Sequence, residues 1–166
     1  MFNVQDVRNI LNELDEMSQM STKDMTIEVK NTTKVLASCV HRVYRDYNGN
    51  VVKRQCVRFE VSKLILNCNY DTLKEVLKHE YAHFMSTTIY QDNCGRIGAN
   101  FNEVSVSTKD IEEQSRKMAK YHVICDECGH IYTYNRMCQT LKDVKEGRKT
   151  VRCGCGCNSL TFKQNR

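Results

Sequence analysis

The stretch Thr72-Leu73-Lys74-Glu75-Val76-Leu77-Lys78-His79-Glu80-Tyr81-Ala82-His83-Phe84 organises this chain, and its centre is His79-Glu80-Tyr81-Ala82-His83. Residues four apart on a helix lie one above the other on the same face. His79 and His83 can therefore aim two imidazoles at one metal ion. Glu80 sits one position round from that line, close enough to take a proton from water at the metal. Leu73, Val76, Leu77 and Phe84 give the stretch an apolar side at helical spacing. Asp71 or Thr72 is the expected cap, with Glu75 three residues after Thr72 as in a capping box. The plainer explanation is a pair of histidines on a half-buried helix. The glutamate at the required position argues against it. The pattern predicts one hydrolytic zinc ion held by His79 and His83, with Glu80 as general base.

Outward from that helix, 166 residues suffice for one ordinary domain and a small module. No apolar run approaches the length that crosses a bilayer. Met1 to Asp6 lacks the basic-then-apolar pattern of a secretion signal, so the expected compartment is the reducing cytoplasm. Ten cysteines there argue for metal ligands or buried thiols before disulfides. Six of them crowd into the last quarter, whereas Cys39, Cys56, Cys68 and Cys94 are scattered. Charge divides at nearly the same place. Residues 1–115 carry a net charge of −2 and residues 116–166 a net charge of +7. A basic tail suits a polyanionic partner, nucleic acid above all, although a solvated basic face has the same composition.

Residues 2–19 read as an amphipathic helix through Val4, Val7, Leu11, Leu14 and Met17. Met25 to Val29 reads as a short strand. Val35–Tyr47 and Val51–Val61 flank Asn48-Gly49-Asn50, the strongest short-range hairpin signal in the chain. An antiparallel sheet is thus expected before the motif helix. Its edge could hold an extended peptide by strand addition. Gln91 to Gly98 reads as a loop, 99–106 as a candidate helix, and 108–120 as a helix leading into the cysteine-rich tail. The predicted division is 1–120 and 121–166.

In the tail, Cys125-Asp126-Glu127-Cys128-Gly129 is a zinc knuckle, two thiolates followed by a glycine that permits the tight turn. Its partner is Cys153-Gly154-Cys155-Gly156-Cys157, where Cys153 pairs with either Cys155 or Cys157 and spacing does not choose. Residues 131–134 and 150–152 are the candidate strands of a small β ribbon around a structural zinc. Free thiols are the alternative, but so polar a segment has little core without a metal. Cys138 lacks a partner at ligand spacing. Arg148, Lys149 and Arg152 are the candidate phosphate-binding residues.

The order of these pieces resembles the SprT-like zinc metalloprotease family, which includes the Spartan proteases that cleave proteins crosslinked to DNA. The resemblance spans nearly the whole chain. It rests on Val76-Leu77-Lys78-His79-Glu80-Tyr81-Ala82-His83, on Gly98-Ala99-Asn100-Phe101, and on Cys125, Cys128 and Arg152-Cys153. It implies an α+β fold, a zincin-like minimal metalloprotease domain followed by a β zinc ribbon. It also implies one catalytic and one structural Zn2+, a protein or peptide substrate, and contact with DNA, hence association with the nucleoid. The family's third zinc ligand is a histidine just before the glycine, where this chain has Ile97. Glu103 is the favoured replacement, twenty residues after His83 as in gluzincin peptidases; Cys94 is the alternative, with Asp92 also within the segment. The competing expectations are an inactive relative that binds nucleic acid through the ribbon, and a purely structural zinc protein.

Overall fold

The computed structural model describes residues 1–85, 95–99, 108–148 and 151–165. The chain divides into two compact units, Met1–Gln114 and Ser115–Arg166. Both mix helices with a three-stranded sheet, so the class is α+β.

The first unit opens on helix α1, Val4–Ser18. Asn3 caps it by accepting from the backbone N–H groups of Gln5 and Asp6, and Asp6 reaches back to the Asn3 N–H. Strands β1 (Thr26–Lys30), β2 (Ala37–Arg45) and β3 (Val51–Ser62) then form a sheet in the order β1-β3-β2. β2 and β3 are the antiparallel hairpin expected around Asn48-Gly49. Gly49 takes a φ of +85° in that turn, a conformation glycine reaches without a Cβ clash. The sheet is not wholly antiparallel: β1 pairs with β3 in parallel. The long strand β3 takes the centre, and β1 and β2 both run against its edges. With β2 antiparallel to β3, an intervening strand separates β1 from β3 in the chain, and β1 returns to β3's own direction.

A 3-10 turn at Ile65–Asn67 leads into helix α2, Tyr70–Met85. Its cap is Asn69, earlier than Asp71 or Thr72. The Asn69 side-chain oxygen accepts from the Thr72 N–H at 2.8 Å, and the Asn69 N–H donates to Asp110 at 2.8 Å. Asn69 serves as the cap because its short side-chain oxygen reaches a first-turn N–H. Val7, Ile10, Leu11 and Leu14 of α1 meet Leu73, Val76, Leu77 and Tyr81 of α2 over Phe59 and Val61 of β3. Ile97 is fully buried in the same core, and Gly98 beside it has φ +64°.

Helix α3, Thr108–Met118, crosses the division between the units. In the second unit, β4 (Tyr121–Cys125), β5 (Ile131–Tyr134) and β6 (Leu160–Gln164) form an antiparallel sheet in the order β5-β4-β6. Val151 and Arg152 lie outside any strand, so the expected strand at 150–152 is replaced by β6. A short helix α4, Gln139–Lys145, buries Leu141 and Val144 against Val123. Among the described residues, the aliphatic side chains this unit buries are Ala119, Val123, Leu141 and Val144. Among the described residues no helix is long and apolar enough to cross a membrane.

Candidate metal centres

Helix α2 holds the first candidate centre on its half-buried side. The His79 and His83 rings stand 5.2 Å apart between centroids, edge to face. Helical spacing sets the pair, and the helix is anchored behind it. The Tyr81 hydroxyl donates to Asp15 of α1 at 2.7 Å and lies 2.7 Å from the Ser18 hydroxyl. Asp15 in turn accepts from the Thr22 N–H and hydroxyl at 2.8 and 3.0 Å. This network is buried and satisfied, so the motif's middle residue fixes the rotation of α2.

Glu80 faces the sheet. Its carboxylate accepts from the Cys39 N–H at 3.0 Å, on β2, the edge strand. Burial pushes the Glu80 carboxyl up to about 7, against the opposing pull of that N–H. A carboxyl near neutrality can both take up and release a proton at physiological pH. His83 is held below the ordinary histidine value by burial first, then by the nearby charges of His79 and His41. A neutral imidazole is the form that ligates zinc.

Two imidazoles and an adjacent carboxyl fit a zinc ion in donor chemistry, though a hydrolytic zinc takes three protein ligands. Ile97 cannot supply the third, being an aliphatic side chain enclosed in the core. Glu103, Cys94 and Asp92 lie outside the described residues.

In the second unit, the sulfurs of Cys125, Cys128, Cys153 and Cys155 all lie within 4.8 Å of one another. Cys125 Sγ is 3.6 Å from Cys155 Sγ, and Cys128 Sγ is 3.5 Å from Cys153 Sγ. Those separations approach the edge of a tetrahedron with zinc–sulfur bonds of about 2.3 Å. Cys155, not Cys157, completes the group. Cys157 instead accepts from the Ser159 N–H at 3.1 Å, and burial pushes its thiol up to about 11. Cys153 is drawn down to about 6 by the Cys155 backbone N–H and then by the Tyr132 hydroxyl, 3.2 Å away. The turns that present the sulfurs are closed by backbone bonds. Gly129 N–H donates to Cys125, Cys125 N–H to His130, and Gly156 N–H to Cys153.

His130 stacks edge-on against Tyr132 at 4.5 Å, and His122 Nε2 lies 2.9 Å from the Arg116 carbonyl. Neither joins the four sulfurs. Arg148 pairs with Glu146 at 2.7 Å and Asp143 at 3.4 Å, Arg152 is exposed, and Lys149 lies outside the described residues.

One group escaped the sequence reading. Cys39 and Cys56, expected as scattered thiols, meet across β2 and β3 as a disulfide, with His41 beside them. The register between β2 and β3 shifts twice, between Val40 and His41 and between Tyr44 and Arg45, so the pairing of His41 with Cys56 does not follow from the Asn48-Gly49 turn alone.

No protein-family model matches the chain, and no curated protein matches it. Among solved structures, the crystal structure of the metallopeptidase zymogen of Pyrococcus abyssi abylysin is similar at 13% identity. The likeness covers 68% of this chain and 90% of that one, with a TM-score of 0.37. So loose a superposition fixes neither fold nor activity.

Proposed function

We propose that the first unit is a zinc-dependent peptidase of SprT-like type, acting on proteins at or on DNA. One observation carries the reading: His79 and His83 lie side by side on α2 while Glu80, between them in sequence, is half-buried against the edge strand β2. His79 and His83 would hold the zinc, which supplies Lewis acidity toward the scissile carbonyl and toward water. Glu80 accepts the proton of the attacking water and returns it to the leaving amine, a role its value near 7 suits. The Cys39 N–H orients the carboxylate for that transfer. β2 offers the extended edge along which a substrate strand can lie, which keeps the cleaved bond near Glu80. The second unit would be a zinc ribbon on Cys125, Cys128, Cys153 and Cys155 that contributes the DNA contact through its basic residues.

Cleavage of an unfolded protein by the zinc-loaded chain, with and without duplex DNA, is the direct assay. Glu80→Gln should retain zinc and lose hydrolysis by about a hundredfold or more, the contribution of a positioned base. Undiminished cleavage by that variant would remove Glu80 from the mechanism.

A second reading draws on Ile97, whose place in the core denies the family's third ligand. It takes the chain as an inactive relative that binds nucleic acid. Zinc content separates the two. Loss of one ion in His79→Ala supports the peptidase, and an unchanged content supports the binding protein.

A further inference from the structure

We propose that the reduced chain holds a further zinc ion on its first sheet, through Cys39, His41 and Cys56. The site is independent of the peptidase reading, because none of its three residues takes part in that mechanism as a metal ligand or base.

The site is made by a β-bulge. Up to Val40 the register pairs Cys39 with Phe59 and Val40 with Arg58. Regular continuation would set His41 opposite Val57 and Cys56 opposite Arg42, on the other face of the sheet. The register instead shifts between Val40 and His41, and His41 pairs with Cys56. Val57 is the extra residue. A one-residue shift turns a side chain to the opposite face, and bulges serve to re-aim side chains in this way. The burial pattern records the change: Phe59 and Val61 are buried at odd positions, and after the bulge the buried residue is the even-numbered Cys56. Cys56 thereby joins Cys39 and His41 on the face that α2 covers, where Phe59 meets Phe84 at 6.2 Å.

The result is three ligand atoms within 4.8 Å of one another, with Cys39 Sγ 3.7 Å from His41 Nε2. Two thiolates and an imidazole are a donor set for zinc, and three protein ligands leave a fourth corner for water. In the structure the two sulfurs are joined as a cystine, and their Cα atoms are 6.3 Å apart. The same pair serves either state. A small-molecule thiol reductant opens the cystine: the S–S bond breaks, each Cys sulfur gains one electron and one proton, and two reductant thiols become a disulfide. Zinc binding then displaces the two thiol protons to solvent. Because the Cys39 N–H is the donor that holds Glu80, closing this clip also steadies the strand beside the motif helix.

The test uses the full chain, reduced with a small thiol, freed of the reductant under anaerobic conditions, supplied with zinc alone, and measured for zinc per chain. The reduced wild type should hold one zinc more than the Cys39→Ser/Cys56→Ser protein, and one more than its own oxidised form. His41→Ala should lose that same ion at lower chelator concentration than the wild type, and Cys68→Ser, at a buried cysteine outside the group, should not. Cobalt in place of zinc should give sulfur-to-metal absorbance that falls in the double serine variant. Equal zinc content in reduced wild type and double serine variant overturns the proposal, as does a Cys39–Cys56 bond that resists excess thiol. Absence of peptidase activity in the zinc-loaded wild type, with the extra zinc present, would instead reject the peptidase reading alone.

Discussion

The Tyr81 hydroxyl donates to the Asp15 carboxylate across 2.7 Å, tying the central residue of the histidine motif to a helix 66 residues earlier. Tyr81 is fully buried, and Asp15 also satisfies the Thr22 N–H and hydroxyl. The aim of His79, Glu80 and His83 therefore rests on a polar contact behind the helix.

Tyr81→Phe should cost about 1–2 kcal/mol, because it removes one donor and leaves Asp15 its Thr22 partners. Asp15→Ala should cost about 3 kcal/mol by stranding the buried Thr22 and Tyr81 groups together. Urea unfolding of both variants measures the difference. Destabilisation by Asp15→Ala no greater than that of an ordinary surface change, about 0.5 kcal/mol, would mean the network is not structural.

Glu80 should make the metal-stripped protein more stable in mild acid. Burial raises its folded value to about 7, whereas the unfolded carboxyl stays near 4.5. The folded chain then binds the extra proton between those values, so stability present below pH 4.5 is lost as pH rises through 7. Glu80→Gln mimics the protonated form. It should exceed the wild type by up to about 3 kcal/mol at pH 8 and match it near pH 4.5. A difference independent of pH, measured in chelator, would show that Glu80 is not buried as a carboxyl.

Removal of Cys155 or Cys157 should have opposite effects. Cys155→Ser breaks the group of four sulfurs, so it should release one zinc and unfold the second unit. Cys157→Ser should keep that zinc, since Cys157 bonds to Ser159 instead. Zinc release titrated with a mercurial, beside circular dichroism, reads both. Equal loss of metal in the two variants would assign the fourth ligand wrongly.

DNA affinity should depend more on Arg152 than on Arg148. Arg148 is already paired with Glu146 and Asp143, so its charge is partly compensated where it stands. Arg152→Ala should reduce binding about equally for all sequences and lower the salt slope by about one phosphate contact. Arg148→Ala should change both less. Affinity that is insensitive to added salt would exclude a phosphate-driven interface.

The sequence by itself determined what depends on near neighbours. Helical spacing aligned His79 with His83, the Asn48-Gly49 turn set the hairpin, and Cys125-x-x-Cys128 set the knuckle. Each is a local geometry, fixed by backbone dihedrals over a few residues. Capping was legible only in part, because Asn69 competes with Asp71 and Thr72 within one turn and the link to Asp110 favours Asn69. Tertiary structure alone decided the rest. The choice of Cys155 over Cys157 depends on where β6 draws the chain after the second knuckle, through the Ser159 contacts to Cys157 and Asp126. Ile97 became a core residue because it joins the buried cluster that α1, α2 and β3 form, elements distant from it in sequence. The meeting of Cys39, His41 and Cys56 turns on one extra residue in β3, which selects the face a side chain occupies. A bulge is a compromise between strands distant in sequence, so alternation along either strand alone does not reveal it.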